Sequence, residues 1–517
     1  MNDKELIGFA LSPQQQRLLS LGAQPGVFPF VAQIRLLLEG AMDQQRLQQA
    51  LDVVVARHEI LRTQFVTQSG LKAVLQVVMP MGKVVLESLP SPSNRNPSEG
   101  VSGEIFDLTE GKVFGATLFQ STSEKHDLLL TLPALCADAA SLKIIVRDLA
   151  DAYANANPGD AHVGDVLQYA DVAEHLNGLL QSEFGMMGKQ YWHPQIKGIG
   201  PLPLYRSPKP PSSKEFRPDR VTAVFPAGPV EKGLSALGGG QYSSDLFLLA
   251  CWQVLLQQLT GETELTIGYA ADGRGSIELK ECVGLFEKYL PLGISDSPRD
   301  SFRESCKRLR ETLEEAGHWQ ASFQWPAEGI HHGACFSYYD ARWTVTTNDL
   351  RIHCFGLNVC SDRFDLKLTC TAVASEIHID LRYDSAAYTQ AEARQMLSQS
   401  LVLVESASLS ADLPISSLSA VGTEERRRLL YGCKDTALAL ELSAEDVHSR
   451  ISGRARSASN AIAVAHGCAQ LTYGELERRS NQLARYLQEQ GVGPEVCVGL
   501  CMERGVEVII GLLGILK

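Results

Sequence analysis

KHDLLLTLPALCADAASLKIIVRDLADAY, residues 125–153, indicates the fold class more clearly than any other stretch. The run from Leu128 to Leu132 is largely apolar, and the stretch from Lys125 to Leu132 has the length of a strand, which predicts a buried β-strand. From Asp138 to Tyr153 apolar side chains recur at helical spacing (Leu142, Ile145, Leu149), which predicts an amphipathic helix. Residues 133–137 therefore connect a buried strand to a helix, a position at which folds often present reactive groups.

The bulk composition is that of a globular protein. The chain has 517 residues, a formal net charge of −13, 44% hydrophobic and 21% charged residues. At about 150 residues per domain, this length predicts two to four folding units. No apolar run approaches the ~18 residues of a membrane span, and no dense basic run suggests a nucleic-acid partner. The twelve cysteines form no CxxC pair and lack histidines at zinc spacing, so we expect a cytoplasmic chain with buried thiols and no metal site.

The sequence pattern predicts two α/β halves followed by a shorter segment. The first half adds an amphipathic helix over 45–63, and the region 164–192 is also helical. Stretches rich in Pro, Gly or Ser at 198–203 and 207–214 predict a linker. The second half has a buried helix (246–259), strands (264–270, 334–339, 365–384) and a helix (389–409). Beyond it we expect irregular linkers (413–419, 433–441), a strand (461–465), a helix begun by Thr472 and reaching 491, a strand at Pro494–Cys501 and a helix over 506–517.

Five short motifs follow one another in order: LSPQQQR (11–17), RHEILRT (57–63), YAD (169–171) with YW (191–192), VGLF (283–286) through LPL (290–292), and RFDL (363–366). Together they resemble the condensation domains of nonribosomal peptide synthetases, over roughly residues 5 to 435. The resemblance implies an α/β fold of two chloramphenicol-acetyltransferase-like lobes in a V around a central tunnel, with the lobes at residues 1–180 and 181–435.

The family resemblance also implies an activity. The phosphopantetheine arms of an upstream and a downstream carrier protein enter the tunnel, and the amine on one attacks the thioester on the other. The arms are substrates, so we expect no cofactor bound by the chain itself. Such enzymes assemble antibiotics and other secondary metabolites.

The last segment resembles the beginning of an adenylation domain. After a linker at 436–450, residues 451–517 contain LTYGEL (471–476) and GLCMER (499–504). The phosphate-binding loop that should follow is absent, so we expect a truncated domain that activates no amino acid on its own. The adenylation domain of the same module is an expected partner.

The loop departs from the family pattern. That pattern is His-His-x-x-x-Asp-Gly, and alignment on Asp138 puts Pro133 and Ala134 at the two histidines. The second histidine is credited with positioning or deprotonating the amine, whereas Ala134 has no proton acceptor. An α-amine has a pKa of ~7.7–8.0, so part of it is already neutral at pH 7. Because general-base help contributes ~10²–10⁴-fold, amide formation would survive slowly, resting on orientation and on Asp138.

Asp138 and Ser141 admit two interpretations each. Asp138 is a helix N-cap that, by the family resemblance, holds the loop through a buried ion pair with Arg274, or it acts directly in the chemistry. Ser141 is a helix-start hydroxyl or a catalytic one. Arg62, in the second motif, is expected to give structural support. We expect His331 and His332 to form an unremarkable surface pair.

Three functions remain open. The chain is an amide-forming acyltransferase without the motif histidines, an enzyme of altered chemistry such as heterocyclisation or dehydration, or an inactive module that docks carrier proteins or a tailoring enzyme. The pairing of Asp138 with Ser141 half-matches the Asp-x-x-x-x-Asp-x-x-Ser motif of heterocyclisation domains.

Overall fold

The computed structural model describes residues 8–21, 29–67, 73–82, 84–90, 106–120, 122, 124–155, 166–204, 216–325, 330–347, 349–409, 411–431 and 446–517. The chain divides into two compact units, residues 1–423 and 424–517, which are described separately.

The strands, in chain order, are β1 Gly8–Ala10, β2 Val31–Gly40, β3 Thr63–Thr67, β4 Val74–Val78, β5 Leu86–Pro90, β6 Gly115–Gln120, β7 Lys125–Pro133, β8 Pro218–Pro226, β9 Glu264–Ala271, β10 Lys288–Ser295, β11 His332–Asp340, β12 Thr344–Thr346, β13 Leu350–Val359, β14 Phe364–Val373, β15 Glu376–Asp384, β16 Ile462–His466 and β17 Ala469–Thr472.

The helices are α1 Pro13–Leu21, α2 Gln44–Arg57, α3 Ala139–Ala154, α4 Tyr169–Gln181, α5 Glu183–Lys197, α6 Gly228–Leu237, α7 Ser244–Thr260, α8 Phe302–Trp319, α9 Gln390–Leu409, α10 Thr423–Tyr431, α11 Val447–Ser457, α12 Tyr473–Glu489 and α13 Val506–Leu516. Single 3₁₀ turns lie at Glu59–Arg62, Glu278–Glu281, Gln320–Ser322 and Ile415–Ser417.

The first large sheet has the strand order β12-β13-β2-β7-β6-β5. Its central strand β7 pairs antiparallel with both β2 and β6. The leucines of β7 are buried because neighbouring strands flank them on both sides and α3 returns onto the sheet. The predicted strand and helix around the loop are therefore confirmed.

The second large sheet has the order β10-β9-β11-β14-β15-β8. Strand β11 pairs parallel with both β9 and β14, and the other pairs are antiparallel. The largely apolar helix α7 is buried over most of its surface. It packs with α6, α8 and α9 around this sheet, in a core separate from that of the first sheet.

Two strands cross from the second half of the chain into the first sheet. Strand β13 pairs antiparallel with β2, from Leu350 opposite Gly40 to Val359 opposite Ala32, and β12 pairs with β13. The division into lobes at residue 180 stays a prediction, but the first sheet is completed by residues 344–359.

The region 164–192, expected as one helical stretch, contains two helices in its described part. Helix α4 ends at Gln181, and the Ser182 side chain accepts a hydrogen bond from Gly185 N to begin α5. The hydroxyl of Ser182 gives the backbone a second helix start. The Pro/Ser-rich stretch at 207–214 lies outside the described residues.

The second unit contains α11, the hairpin β16–β17, α12 and α13 around a small apolar core. Thr472 begins α12 with a capping box completed by Glu475, as its sequence predicts. The expected strand at Pro494–Cys501 is wrong: these residues have no strand pairing, and an unpaired strand leaves its backbone groups without partners.

The linker predicted at 433–441 lies outside the described residues, as does 436–445 of the longer linker at 436–450; α11 has begun by residue 447. Within the described residues, no helix combines the length and apolar character that a bilayer crossing requires.

Candidate active site

The loop between β7 and α3 is closed to solvent. Ala134, Leu135, Cys136 and Ala137 are fully buried, and Ala134 N donates to Phe30 O at 3.0 Å. Burial raises the pKa of the Cys136 thiol, which therefore stays protonated. The position of the expected histidine is thus an apolar site in the core of the first sheet, and no side chain of residues 133–137 can exchange a proton near neutral pH.

Asp138 is the N-cap of α3, and both of its carboxylate oxygens are fully engaged. Oδ1 accepts from Ser141 N at 2.9 Å, Ser141 Oγ at 2.8 Å and Arg274 Nη2 at 3.0 Å. Oδ2 accepts from Arg274 Nη1 at 2.9 Å, Phe286 N at 2.9 Å and Glu287 N at 3.0 Å. The structure therefore brings Asp138 and Arg274 together in a bidentate pair that is 1% exposed on each side.

The electrostatics of this pair favour the charged state. Burial alone would raise the pKa of Asp138, but the Arg274 guanidinium and the bonds from Ser141 lower it below its ordinary value. Arg274 also donates to Asp272 Oδ1 at 2.8 Å and to Cys282 O at 3.2 Å. Asp138 is thus an ionised anchor with no free lone pair pointing toward a ligand.

Ser141 is similarly occupied. Its Oγ lies 2.7 Å from Gly284 O and accepts from Gly284 N at 3.0 Å and from Arg274 Nη2 at 2.9 Å. The hydroxyl carries one proton, and the oxygens of Asp138 and Gly284 both lie within reach of it. Ser141 therefore links α3 to the loop before β10.

Separate sequence motifs meet around this loop. The Tyr169 hydroxyl lies 2.9 Å from Ser12 Oγ and donates to Leu285 O. Gly284 lies so close to the Tyr169 ring that a β-carbon would overlap it. Tyr169 also packs edge-on against Phe286, with ring centroids 5.1 Å apart. The LSPQQQR, YAD and VGLF motifs thus form one connected cluster with the start of α3.

Arg62 lies outside this cluster. Its guanidinium pairs with Glu59 at 3.2 Å and donates to Met79 O. In the same motif His58 Nε2 lies 2.8 Å from Asp148 Oδ2 at a buried site. The second motif therefore stabilises the first lobe from within and does not approach Asp138.

The expectation of a surface histidine pair is wrong. His332 is fully buried, with Nε2 3.2 Å from Tyr289 O. Burial lowers the pKa of His332 to about 3, so this ring is neutral. His331 Nε2 lies 2.9 Å from Asp365 Oδ1. Strand β11 begins before the expected start at residue 334 and carries His332 into the core.

Two of the cavities between the lobes share a lining residue. The larger, about 630 Å³, is lined by residues of both sheets, among them Asp138, Ala139, Arg274, Tyr339 and Leu357. The smaller, about 250 Å³, is lined by α1 on one side and by Lys288, Trp325 and Ser361 on the other. Glu287 lines both cavities.

The Glu287 side chain is a buried carboxylate at this shared wall. Oε1 accepts from Ser361 Oγ at 2.7 Å and lies 3.4 Å from the Tyr289 hydroxyl, and Oε2 accepts from Tyr339 OH at 2.9 Å. Burial raises the pKa of Glu287 above its ordinary value. Sequence reasoning missed this residue, since a Glu-Lys pair beside an apolar run resembles a solvated strand end. The available signal was its position directly after the VGLF motif.

Comparison with protein families gives two matches. A condensation-domain model matches residues 8–430 and a model of AMP-binding enzymes matches residues 451–517. Bacitracin synthase 3 of Bacillus licheniformis is 27% identical over 536 residues, which cover 98% of this chain and 8% of that protein. Chondramide synthase cmdD of Chondromyces crocatus is 28% identical over 539 residues, which cover 98% and 14%. The chain therefore spans a small part of the length of these relatives.

Solved structures share the fold. A holo four-domain nonribosomal peptide synthetase, AB3403, bound to AMP and glycine superimposes with a TM-score of 0.68 at 15% identity, over 99% of this chain and 41% of that one. The X-domain in a complex with OxyB from teicoplanin biosynthesis gives a TM-score of 0.64 at 21% identity, over 82% and 97%. These likenesses confirm the predicted α/β fold with chloramphenicol-acetyltransferase-like lobes and a C-terminal adenylation-type fragment.

Proposed function

Because this chain belongs to the condensation-domain family, we propose that it transfers an acyl or peptidyl group from one carrier protein to the amine of an aminoacyl group on another. The bond formed is an amide, and the motif histidines take no part. The observation that carries the proposal is the pair of cavities between the lobes, which share a wall at Glu287. A phosphopantetheine arm in each cavity would bring the two substrates together there.

In this proposal Asp138 holds the site and does not touch the substrates. All of its hydrogen-bonding capacity is used by Arg274, Ser141 and the backbone of Phe286 and Glu287. The pair fixes the start of α3 against the segment that carries Glu287. Such fixed geometry supports catalysis by orientation, which contributes up to ~7–11 kcal/mol.

The nucleophile we propose is an amine. At neutral pH part of an α-amine is unprotonated, whereas a hydroxyl is not ionised. Ala134 offers neither type of nucleophile a base, so ester formation would suffer more. Heterocyclisation, which begins with the same amide bond, needs a further dehydration step that Asp138 and Ser141 would have to assist, and both are fully hydrogen-bonded.

The partners we propose are the carrier proteins on either side and the adenylation domain of the same module, in the cytosol. The eleven described cysteines are free thiols, which agrees with a reducing compartment.

A second candidate is a module that docks proteins without chemistry. It is favoured by one observation: Ala134, at the histidine position, is buried and has no proton acceptor. The X-domain that shares the fold is found in a complex with OxyB. In this alternative the chain binds a carrier protein or a tailoring enzyme, and the cavities remain unused.

The test is a loaded-carrier assay. The upstream and downstream carrier proteins of the assembly line are charged with a panel of acyl and aminoacyl pantetheine thioesters and mixed with the chain, and the carrier-bound products are weighed. Transfer without further mass change supports amide formation, and transfer with an additional loss of water supports cyclisation. Carrier binding without transfer would contradict the proposal in favour of the docking module.

A further inference from the structure

The geometry points to Glu287 as the proton acceptor for the attacking amine, in place of the absent histidine. This inference rests on the proposed function, because it names the residue that serves the amide-forming step at the same site. The position of Glu287 supports the inference, because the residue lines both cavities and its carboxylate is held between them.

The two oxygens of Glu287 bond to groups of different cavities. Oε1 accepts from Ser361, which lines the smaller cavity, and Oε2 accepts from Tyr339, which lines the larger one. Each carboxylate oxygen has two lone-pair directions, and Tyr339 occupies one of those on Oε2. The Glu287 backbone N–H is fixed on Asp138 Oδ2 at 3.0 Å. Asp138, which the loop retains, therefore positions Glu287, the proposed base.

The other carboxylates of the larger cavity are less suited to this role. Asp138 is saturated by its hydrogen bonds. Three more are exposed and paired with arginines: Asp272 with Arg274, Asp340 with Arg342, and Glu314 with Arg310. Asp245 accepts from the Tyr269 hydroxyl at 3.1 Å. Within the described residues, Glu287 is the carboxylate of this cavity that is buried and makes no ion pair with Lys or Arg.

The proposed step needs no reactant beyond the two substrates. Glu287 takes one proton from the substrate ammonium, and the neutral amine attacks the thioester carbonyl. The C–N bond forms and the C–S bond breaks. The carboxyl group gives the proton it has taken up to the leaving thiolate, accepts the second proton that the nitrogen loses, and releases that proton to solvent. The products are an amide and a free phosphopantetheine thiol.

The surroundings of Glu287 set its proton affinity. Burial raises the pKa of Glu287, while Lys367 and the hydroxyl bonds oppose that rise. The titratable groups that face Glu287 are Lys367 of β14, Tyr339 of β11, Tyr289 of β10 and Asp138 before α3. Burial raises the pKa of both tyrosines, so they stay protonated donors at neutral pH. A carboxylate with raised pKa in a closed site is a stronger base than an exposed one.

The test compares Glu287→Gln with the wild-type chain in single-turnover transfer between the loaded carrier proteins. At pH 7 we expect the variant to be slower by about 10²-fold, the range of a lost general base. An amine with a pKa near 8 is about 10% neutral at pH 7 and about 90% neutral at pH 9. The deficit should therefore shrink by about tenfold at pH 9, because the amine no longer needs a base. A purely structural role of Glu287 would give a deficit independent of pH.

Two further variants sharpen the test. Glu264→Gln removes an exposed carboxylate at the start of β9 and should leave the rate unchanged at both pH values. Glu287→Asp keeps the charge, and should retain more activity than the Gln variant if the carboxylate acts as a base. Thermal melting of each variant shows whether it is folded.

The outcomes distinguish the role of Glu287 from the function on which it rests. No amide product from the wild-type chain overturns the proposed function, and the role of Glu287 falls with it. Amide product from the wild-type chain with an equal rate for folded Glu287→Gln overturns the role of Glu287 alone. A deficit that does not change between pH 7 and 9 also overturns it.

Discussion

At the residue scale, Asp138 keeps a full set of bonds in a loop that contains no histidine. The carboxylate forms a bidentate pair with Arg274 and bonds to the loop before β10. Removing one partner of a buried ion pair leaves the other charge without compensation, at a cost of about 3–5 kcal/mol. These contacts support our proposal that Asp138 stabilises the fold and takes no part in proton transfer.

We predict that Asp138→Ala lowers the free energy of unfolding by about 3–5 kcal/mol, measured by urea denaturation with tryptophan fluorescence. Asp272→Asn is the matched control, because its side chain is 60% exposed and also bonds Arg274. It should cost less than about 1 kcal/mol. A stable Asp138→Ala chain that has lost transfer activity would instead assign Asp138 to the chemistry.

The same pair should respond to acid. The pKa of Asp138 is lowered in the folded chain, whereas an unfolded Asp titrates near ~3.9. Its stabilisation is therefore fully present above about pH 4 to 5 and is lost as the pH falls through the folded pKa. The difference in stability between wild type and Asp138→Ala should be constant from about pH 5 to 8 and should narrow below about pH 4, as urea titrations would show.

Residue identities explain which parts of the site could be foreseen. The strand and helix around the loop follow from long periodic apolar runs. The pairing of Asp138 with Arg274 came from the family resemblance, since no local pattern connects residues 136 positions apart. Glu287 was missed and His332 was wrongly placed at the surface, because the burial of both residues depends on which strands surround them. Side-chain polarity alone does not contain that information.

At the element scale, the loop before β10 depends on a glycine that lets its backbone lie directly against a neighbouring helix. Gly284 contacts the Tyr169 ring of α4 directly. Its backbone N–H donates to Ser141 Oγ of α3, and its carbonyl oxygen lies 2.7 Å from the same hydroxyl. One small residue thus lets two helices and a strand meet around Asp138. Any side chain at this position would push the segment that carries Glu287 away from α3.

We predict that Gly284→Ala destabilises the first unit by about 1–3 kcal/mol, the usual cost of overpacking, and that it lowers transfer activity as well. The control is Gly293→Ala in β10, where an added β-carbon has no atom within 4 Å. Thermal melting should distinguish the two. Equal melting temperatures would show that the Tyr169 ring can move aside at little cost.

At the scale of the whole first unit, buried polar pairs join the lobes. Arg17 of α1 bonds Asp362 at 3.1 Å and lies over the Trp325 ring with 4.0 Å to the centroid. Burial raises the pKa of Asp362 even though Arg17 opposes the rise. Asp362 can therefore take up a proton if its partner is lost, which removes the uncompensated charge.

This asymmetry gives a double-mutant prediction. Asp362→Leu leaves a buried guanidinium and should cost about 3–5 kcal/mol. Arg17→Met should cost less, because Asp362 becomes neutral. The double variant should recover most of the loss, since an apolar pair of similar volume can replace a buried ion pair. Additive losses in urea denaturation would contradict the account.

The crossing of β12 and β13 into the first sheet limits how such proteins can be recombined. A chimaera joined near residue 180 would combine a sheet from one parent with its outer two strands from another. The β2–β13 register, from Leu350 opposite Gly40 to Val359 opposite Ala32, would then have to match between sequences that never evolved together. The segment to exchange between such proteins is therefore the whole span of residues 8–423. Gene fusions that exchange this span intact should give folded hybrids more often than exchanges of single lobes.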